Sequence, residues 1–225
     1  MKFVFDKRSA ESSLVETVYY TQSEGTGSFI SRAGSQWEMV VTRSEGKTSL
    51  TVRGPETKAR PAPIPADAEF LGIVFKLGAF MPQLPVSEFV NREINLPQAS
   101  DNKFWLHGSS WQFPKFENAD VFINRLVQDD LLVYEPVIGE VLQDQPLDLS
   151  ARTLQRRFLQ ATGLTHKIIQ QIERAQQAAT LLEQGVPILD VVFETGYFDQ
   201  PHLTKSLKRF VGQTPSQIVE TEQAE

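Results

Sequence analysis

The hydrophobic pattern of this chain changes period once, and that change limits the fold more than any other feature. Up to Trp111-Gln112-Phe113-Pro114 the apolar residues come in short β-branched or aromatic runs. Residues 37–42, 49–52 and 70–75 are such runs, and the clusters Ser44-Glu45-Gly46-Lys47, Gly54-Pro55 and Asp67-Ala68-Glu69 separate them as turns. Pro61, Pro63 and Pro65 exclude a helix between them. Short strands at turn-punctuated spacing predict a small β sandwich or barrel, and residues 86–91 predict a short helix with Ser87 as its cap. Beyond Pro114, Ala119, Phe122, Ile123, Leu126 and Val127 follow the spacing of an amphipathic helix with Asn118 as its N-cap. The reading is an α+β chain: a β-rich domain over 1–114, a linking helix over 115–133 and an all-α domain over 134–225.

The α region is well punctuated. Ser150 can cap a helix that Gly163 can end in the left-handed conformation. Leu154, Phe158 and Ala161 share one face of it, which leaves Arg152, Thr153, Gln155 and Arg156 on the other. A longer helix from about Lys167 to Glu183 follows, stopped by Gly185. Next, Val186-Pro187 starts a helix that ends near Gly196, the first half of a helix-turn-helix. Asp199 caps its partner, in which Leu203, Leu207 and Phe210 turn inward while Gln200, His202, Thr204, Lys205 and Lys208 stay outward. Thr214-Pro215 opens a last short helix.

Composition narrows the chemistry. The chain has no cysteine, so disulfides, thiolate zinc sites, iron–sulfur clusters and thiol nucleophiles are excluded. Its three histidines, His107, His166 and His202, are too far apart in sequence to share a helical turn, so no metal or other cofactor is expected. No apolar run approaches the roughly 18 residues of a membrane span, and the first residues turn to charge too early for a signal peptide. A cytoplasmic protein is expected. The net charge is −6, so binding to nucleic acid requires local patches. Between 150 and 174 stand Arg152, Arg156, Arg157, Lys167 and Arg174 against Glu173 alone; between 200 and 215 stand Lys205, Lys208 and Arg209 with no acid. Arg and Gln carry the paired donors and acceptors that match guanine and adenine edges.

Three blocks in order give these patches a context. Ser150 to Gly163 reads S-x-R-T-L-Q-R-R-F-x-x-x-T-G; Arg174, Ala178, Leu181 and Leu182 read R-x-x-x-A-x-x-L-L. Gly196-Tyr197 through Asp199 to Gly212 and Thr214-Pro215 supply the third block. Over roughly its last 75 residues the chain resembles the DNA-binding domain of AraC/XylS-type transcriptional regulators. The resemblance implies a double helix-turn-helix whose two recognition helices flank one linker helix and enter successive major grooves. It makes Arg152, Gln155 and Arg156 base readers of the first unit. Gln200, His202, Thr204 and Lys205 become readers or phosphate clamps of the second. Lys208 and Arg209 become phosphate contacts, and Arg157 either a phosphate contact or a structural pair. Pro146 interrupts any helix running into Ser150, so the first unit is expected to be abbreviated.

The same resemblance implies double-stranded promoter DNA and RNA polymerase as partners. It also implies an N-terminal β domain that binds a small-molecule effector or forms a homodimer. Phe104, Trp105, Trp111, Phe113 and Phe116 either pack a core or line an apolar pocket, and Arg32, Arg53 and Arg60 are either solvated or anion-binding. Two other classes compete: a cupin-like enzyme with a helical appendage, and a regulator acting through protein partners without DNA. No nucleophile–base pair or metal spacing favours the enzyme.

Overall fold

The computed structural model describes residues 3–143 and 148–223, an α+β chain with a β-rich N-terminal part followed by helices. Two compact units emerge, and they are not contiguous in sequence. The first takes residues 1–27, 36–55 and 63–165; the second takes 28–35, 56–62 and 166–225.

Thirteen strands occur among the described residues. They are β1 (Phe3–Arg8), β2 (Val15–Ser23), β3 (Gly27–Ser31), β4 (Glu38–Ser44), β5 (Lys47–Arg53), β6 (Arg60–Ile64) and β7 (Glu69–Phe75). After them come β8 (Ala79–Phe80), β9 (Glu93–Asn95), β10 (Gln98–Ser100), β11 (Lys103–Leu106), β12 (Ser109–Gln112) and β13 (Val133–Tyr134). The first unit is built on an antiparallel sheet ordered β1-β2-β7-β4-β5-β9. The three apolar runs legible in the sequence become β4, β5 and β7. Strand alternation puts Val18, Leu71, Ile73, Met39, Val41, Leu50 and Val52 on one face in register, all buried. On the other face Tyr19 lies against Gly72, where any Cβ would collide with its ring. The Tyr19 hydroxyl donates to Glu38 Oε2 (2.8 Å); burial first, and the Glu38 charge second, push its pKa far above the usual phenol value. The β4–β5 turn places Glu45 and Gly46 at φ 52° and 72°, as a tight hairpin requires.

A β10-β11-β12 meander pairs Phe104 with Trp111, both buried, against Phe122 of α1 (Ala119–Gln128). Ala119, Phe122, Ile123 and Leu126 form the buried stripe of α1; Val127, expected there, is 37% exposed. Of the proposed aromatic cluster, Phe104 and Trp111 are thus core, while Trp105 is half-exposed. One local expectation fails and another holds in position only. Residues 86–88 make only a 3-10 turn led by Pro85, so Ser87 caps no helix. Asn118 does stand at the N-cap of α1, but its side chain accepts from the Lys115 backbone N–H and caps the turn before it. The remaining helices of this unit are α2 (Val137–Leu142) and α3 (Ala151–Thr162). Pro146 lies outside the described residues; α2 ends at Leu142, four residues before it.

The second unit holds α4 (His166–Glu183), α5 (Ile188–Glu194), α6 (Gln200–Phe210) and α7 (Pro215–Gln223). Ile169, Ile172, Ala175, Ala178, Ala179 and Leu182 of α4 meet Val191, Leu203, Leu207, Phe210 and Ile218, all buried. Thr214 and Gln217 cap α7 reciprocally: Thr214 Oγ1 accepts from the Gln217 N–H and Gln217 Oε1 from the Thr214 N–H.

Two loops from the N-terminal half complete this unit as a strap. Gly34 and Glu56 exchange both backbone hydrogen bonds (3.0 and 2.9 Å) and tie the loops together. The Ala33 N–H donates to the Phe210 carbonyl and the Ala59 N–H to the Arg209 carbonyl, each at 2.7 Å. These are orphan acceptors at the end of α6. Gln176 Nε2 donates to the Ala33 carbonyl (2.8 Å), and Arg32 pairs with Glu183 (2.7 Å). Gly212, at φ 85°, fits under Ile30 and Ala59.

Candidate nucleic-acid interface

Local chemistry sets both helices that carry the predicted contacts. Ser150 Oγ accepts from the Thr153 N–H (3.2 Å) at the start of α3, and Gly163 at φ 68° ends it with its N–H on the Leu159 carbonyl. Phe158, Ala161 and Thr162 are buried, so the helix has a defined inner side. Arg152, Gln155 and Arg156 are exposed, three and four residues apart, and therefore on neighbouring positions of one outer face. Arg157 is elsewhere. Its Nε and Nη2 take both oxygens of Glu135 (3.0 and 2.5 Å), and that hydrogen-bonded carboxylate raises its pKa. Of the two roles open to Arg157, the geometry is that of the structural pair.

In the second unit, Asp199 Oδ1 accepts from the His202 N–H (2.7 Å) and starts α6, with Pro201 in the first turn. Gln200, His202, Lys205 and Lys208 are exposed and Thr204 half-buried, opposite buried Leu203, Leu207 and Phe210. The turn between α5 and α6 is anchored by Tyr197. Its ring lies under the Arg174 guanidinium (4.5 Å), its hydroxyl meets Ser206 Oγ (2.7 Å), and the His202 ring stands edge-on to it at 5.1 Å. Arg174 is thus a cation over an aromatic face, with a buried Nε that has no hydrogen-bond partner. Both Arg174 and Tyr197 are motif positions in the sequence, yet nothing local reveals that they stack.

The positive patches are therefore smaller than a residue count implies. Arg157 and Arg174 are engaged inside the protein; Arg152, Arg156 and Lys167 remain on the first patch. Arg209 lies over the Phe210 ring at 4.7 Å, which leaves Lys205 and Lys208 as the extended cations of α6. The arginines considered for an anionic effector are also engaged: Arg32 with Glu183, Arg53 with Glu38 and Glu93, and Arg60 with Glu56. Removing the α6 cap by Asp199→Ala is expected to cost about 1 kcal/mol of stability, read by urea unfolding of the full chain. An unchanged unfolding midpoint would show that the cap does not support α6.

A helix led by Pro187, a turn held by a left-handed glycine (Gly196, φ 68°) and a second helix, capped by Asp199 and with an outward polar face, define a helix-turn-helix module. The comparisons give the same class: residues 145–221 match the family described as "Helix-turn-helix domain". The chain thus carries a helix-turn-helix domain in its C-terminal third. It is similar to the HTH-type transcriptional regulator VirS of Mycobacterium tuberculosis, 42% identical over 80 residues that take in 35% of this chain and 23% of VirS. It is also similar to the HTH-type transcriptional regulator RipA of Corynebacterium glutamicum, 38% identical over 91 residues, 35% of this chain and 28% of RipA. The chain therefore matches about a quarter of the length of these relatives. A solved structure of ToxT from Vibrio cholerae aligns over 97% of this chain and 99% of its own, with a TM-score of 0.39 and 10% identity. At that score no position is carried from one chain to the other. No helix among the described residues is long and apolar enough to cross a membrane.

Proposed function

We propose that this protein is a sequence-specific transcriptional regulator that binds double-stranded promoter DNA through α3 and α6. The observation that carries the reading is the matched construction of the two helices. Each has a side-chain cap, a buried apolar side and an exposed side rich in groups that read base edges. Arg152, Gln155 and Arg156 read from α3; Gln200, His202, Thr204 and Lys205 read or clamp from α6, and Lys208 contacts phosphate. Successive major grooves are the sites that the sequence resemblance implies for the two helices. The β-rich part would bind a small-molecule effector or join a homodimer, RNA polymerase would be the partner on DNA, and the protein would act in the cytoplasm without bond chemistry of its own.

The test is selection of genomic fragments by the purified full chain at near-physiological salt, read by sequencing. Two enriched blocks about one helical turn apart are expected. A single block would reduce the reading to one DNA-reading unit, and no enrichment with or without effector candidates would overturn it.

A further inference from the structure

We infer that Phe198 is a specificity-determining residue that contacts the 5-methyl group of a thymine in the site read by α6. The inference rests on the DNA-binding function proposed above and goes beyond its polar readers. Phe198 is 90% exposed, although it sits in the turn between two well-packed helices. A phenylalanine directly before an N-cap ordinarily serves the fold as a staple, packing onto the residue four positions into the helix. With Asp199 as the cap that residue is Leu203, which is fully buried while Phe198 is not, so the staple is not formed. The ring is therefore not part of the fold's core.

Its position is nevertheless firmly set. On one side the Tyr197 N–H donates to the Val192 carbonyl (3.0 Å), and the Tyr197 ring is held by Arg174 and Ser206. On the other side Asp199 is fixed by its hydrogen bond to the His202 N–H. The exposed ring is presented from a rigid turn, at the end of α6 that also carries exposed Gln200, Pro201 and His202. In helix-turn-helix proteins this N-terminal end meets the base edges. A phenyl ring can neither pair with phosphate nor hydrogen-bond to a base. The apolar feature on the floor of the major groove is the thymine methyl, and that is the occupant the ring's chemistry selects.

The experiment uses the full chain and the DNA site it selects, with each thymine of the α6 block replaced in turn by deoxyuridine, which lacks only the methyl. Wild-type protein should lose about fourfold in affinity at one position, the worth of one buried methyl group. Phe198→Ser should bind more weakly overall and bind thymine and deoxyuridine equally there, whereas Phe198→Leu should keep the discrimination. Equal thymine-to-deoxyuridine losses in wild type and Phe198→Ser at every position would overturn the assignment while leaving DNA reading intact. Failure of the wild-type protein to select any DNA would overturn both.

Discussion

Gly212→Ala should destabilise the protein by about 2–4 kcal/mol, clearly more than Gly185→Ala at about 1–2 kcal/mol. The two glycines share a backbone conformation, φ 85° and φ 80°, so the left-handed penalty for an L side chain is common to both. They differ in surroundings. A Cβ at Gly185 meets nothing within 4 Å, whereas one at Gly212 comes to 2.6 Å from Ile30 Cγ2 and 3.1 Å from Ala59 Cβ. Relief of that overlap requires the strap to move, which weakens the Ala59 and Ala33 hydrogen bonds to the last carbonyls of α6. Urea unfolding of the two variants measures the difference. Equal losses would mean that the strap does not hold the end of α6.

Arg156→Ala is expected to lower affinity for the best site by about 1–3 kcal/mol and to relax preference at one base pair. Arg156 is exposed on α3 beside Arg152 and Gln155, and an exposed guanidinium suits a bidentate contact. Lys208→Ala provides the contrast. A lysine late in α6 offers a point charge suited to a phosphate, so its loss should weaken all sequences alike and flatten the dependence of binding on salt. Competition binding against single-base variants at two salt concentrations separates the two. A sequence-independent loss for Arg156→Ala would remove it from the base readers, and a loss confined to one base pair for Lys208→Ala would make that residue a reader.

What the sequence discloses and what it conceals divide along the range of the interactions. The Ser150 and Asp199 caps, the glycine stops at Gly163 and Gly196 and the buried stripes of α3 and α6 each depend on partners within about four residues. Side-chain type and spacing are enough to place them. Asn118 shows the limit of that logic, since two adjoining turns compete for one amide and the earlier one takes it. Charge partners are another matter. Arg157 meets Glu135 from 22 residues away and Arg32 meets Glu183 from 151 away, so a linear count of cations overstates the free positive surface. The strap is hidden for the same reason. Residues 28–35 and 56–62 carry ordinary loop and edge-strand signals, and only the tertiary fold assigns their N–H groups to α6.

That assignment bears on how freely the C-terminal helices can be exchanged between proteins. The segment matched as a domain, residues 145–221, omits the two loops whose amides close the C-terminal end of its α6. A hybrid that joins this C-terminal third to a foreign N-terminal domain would leave the Arg209 and Phe210 carbonyls facing whatever that domain happens to offer. The compact unit that holds α6 is thus a discontinuous package: α4 to α7 together with Ile30–Ala33 and Ala59, to be moved as one piece or not at all.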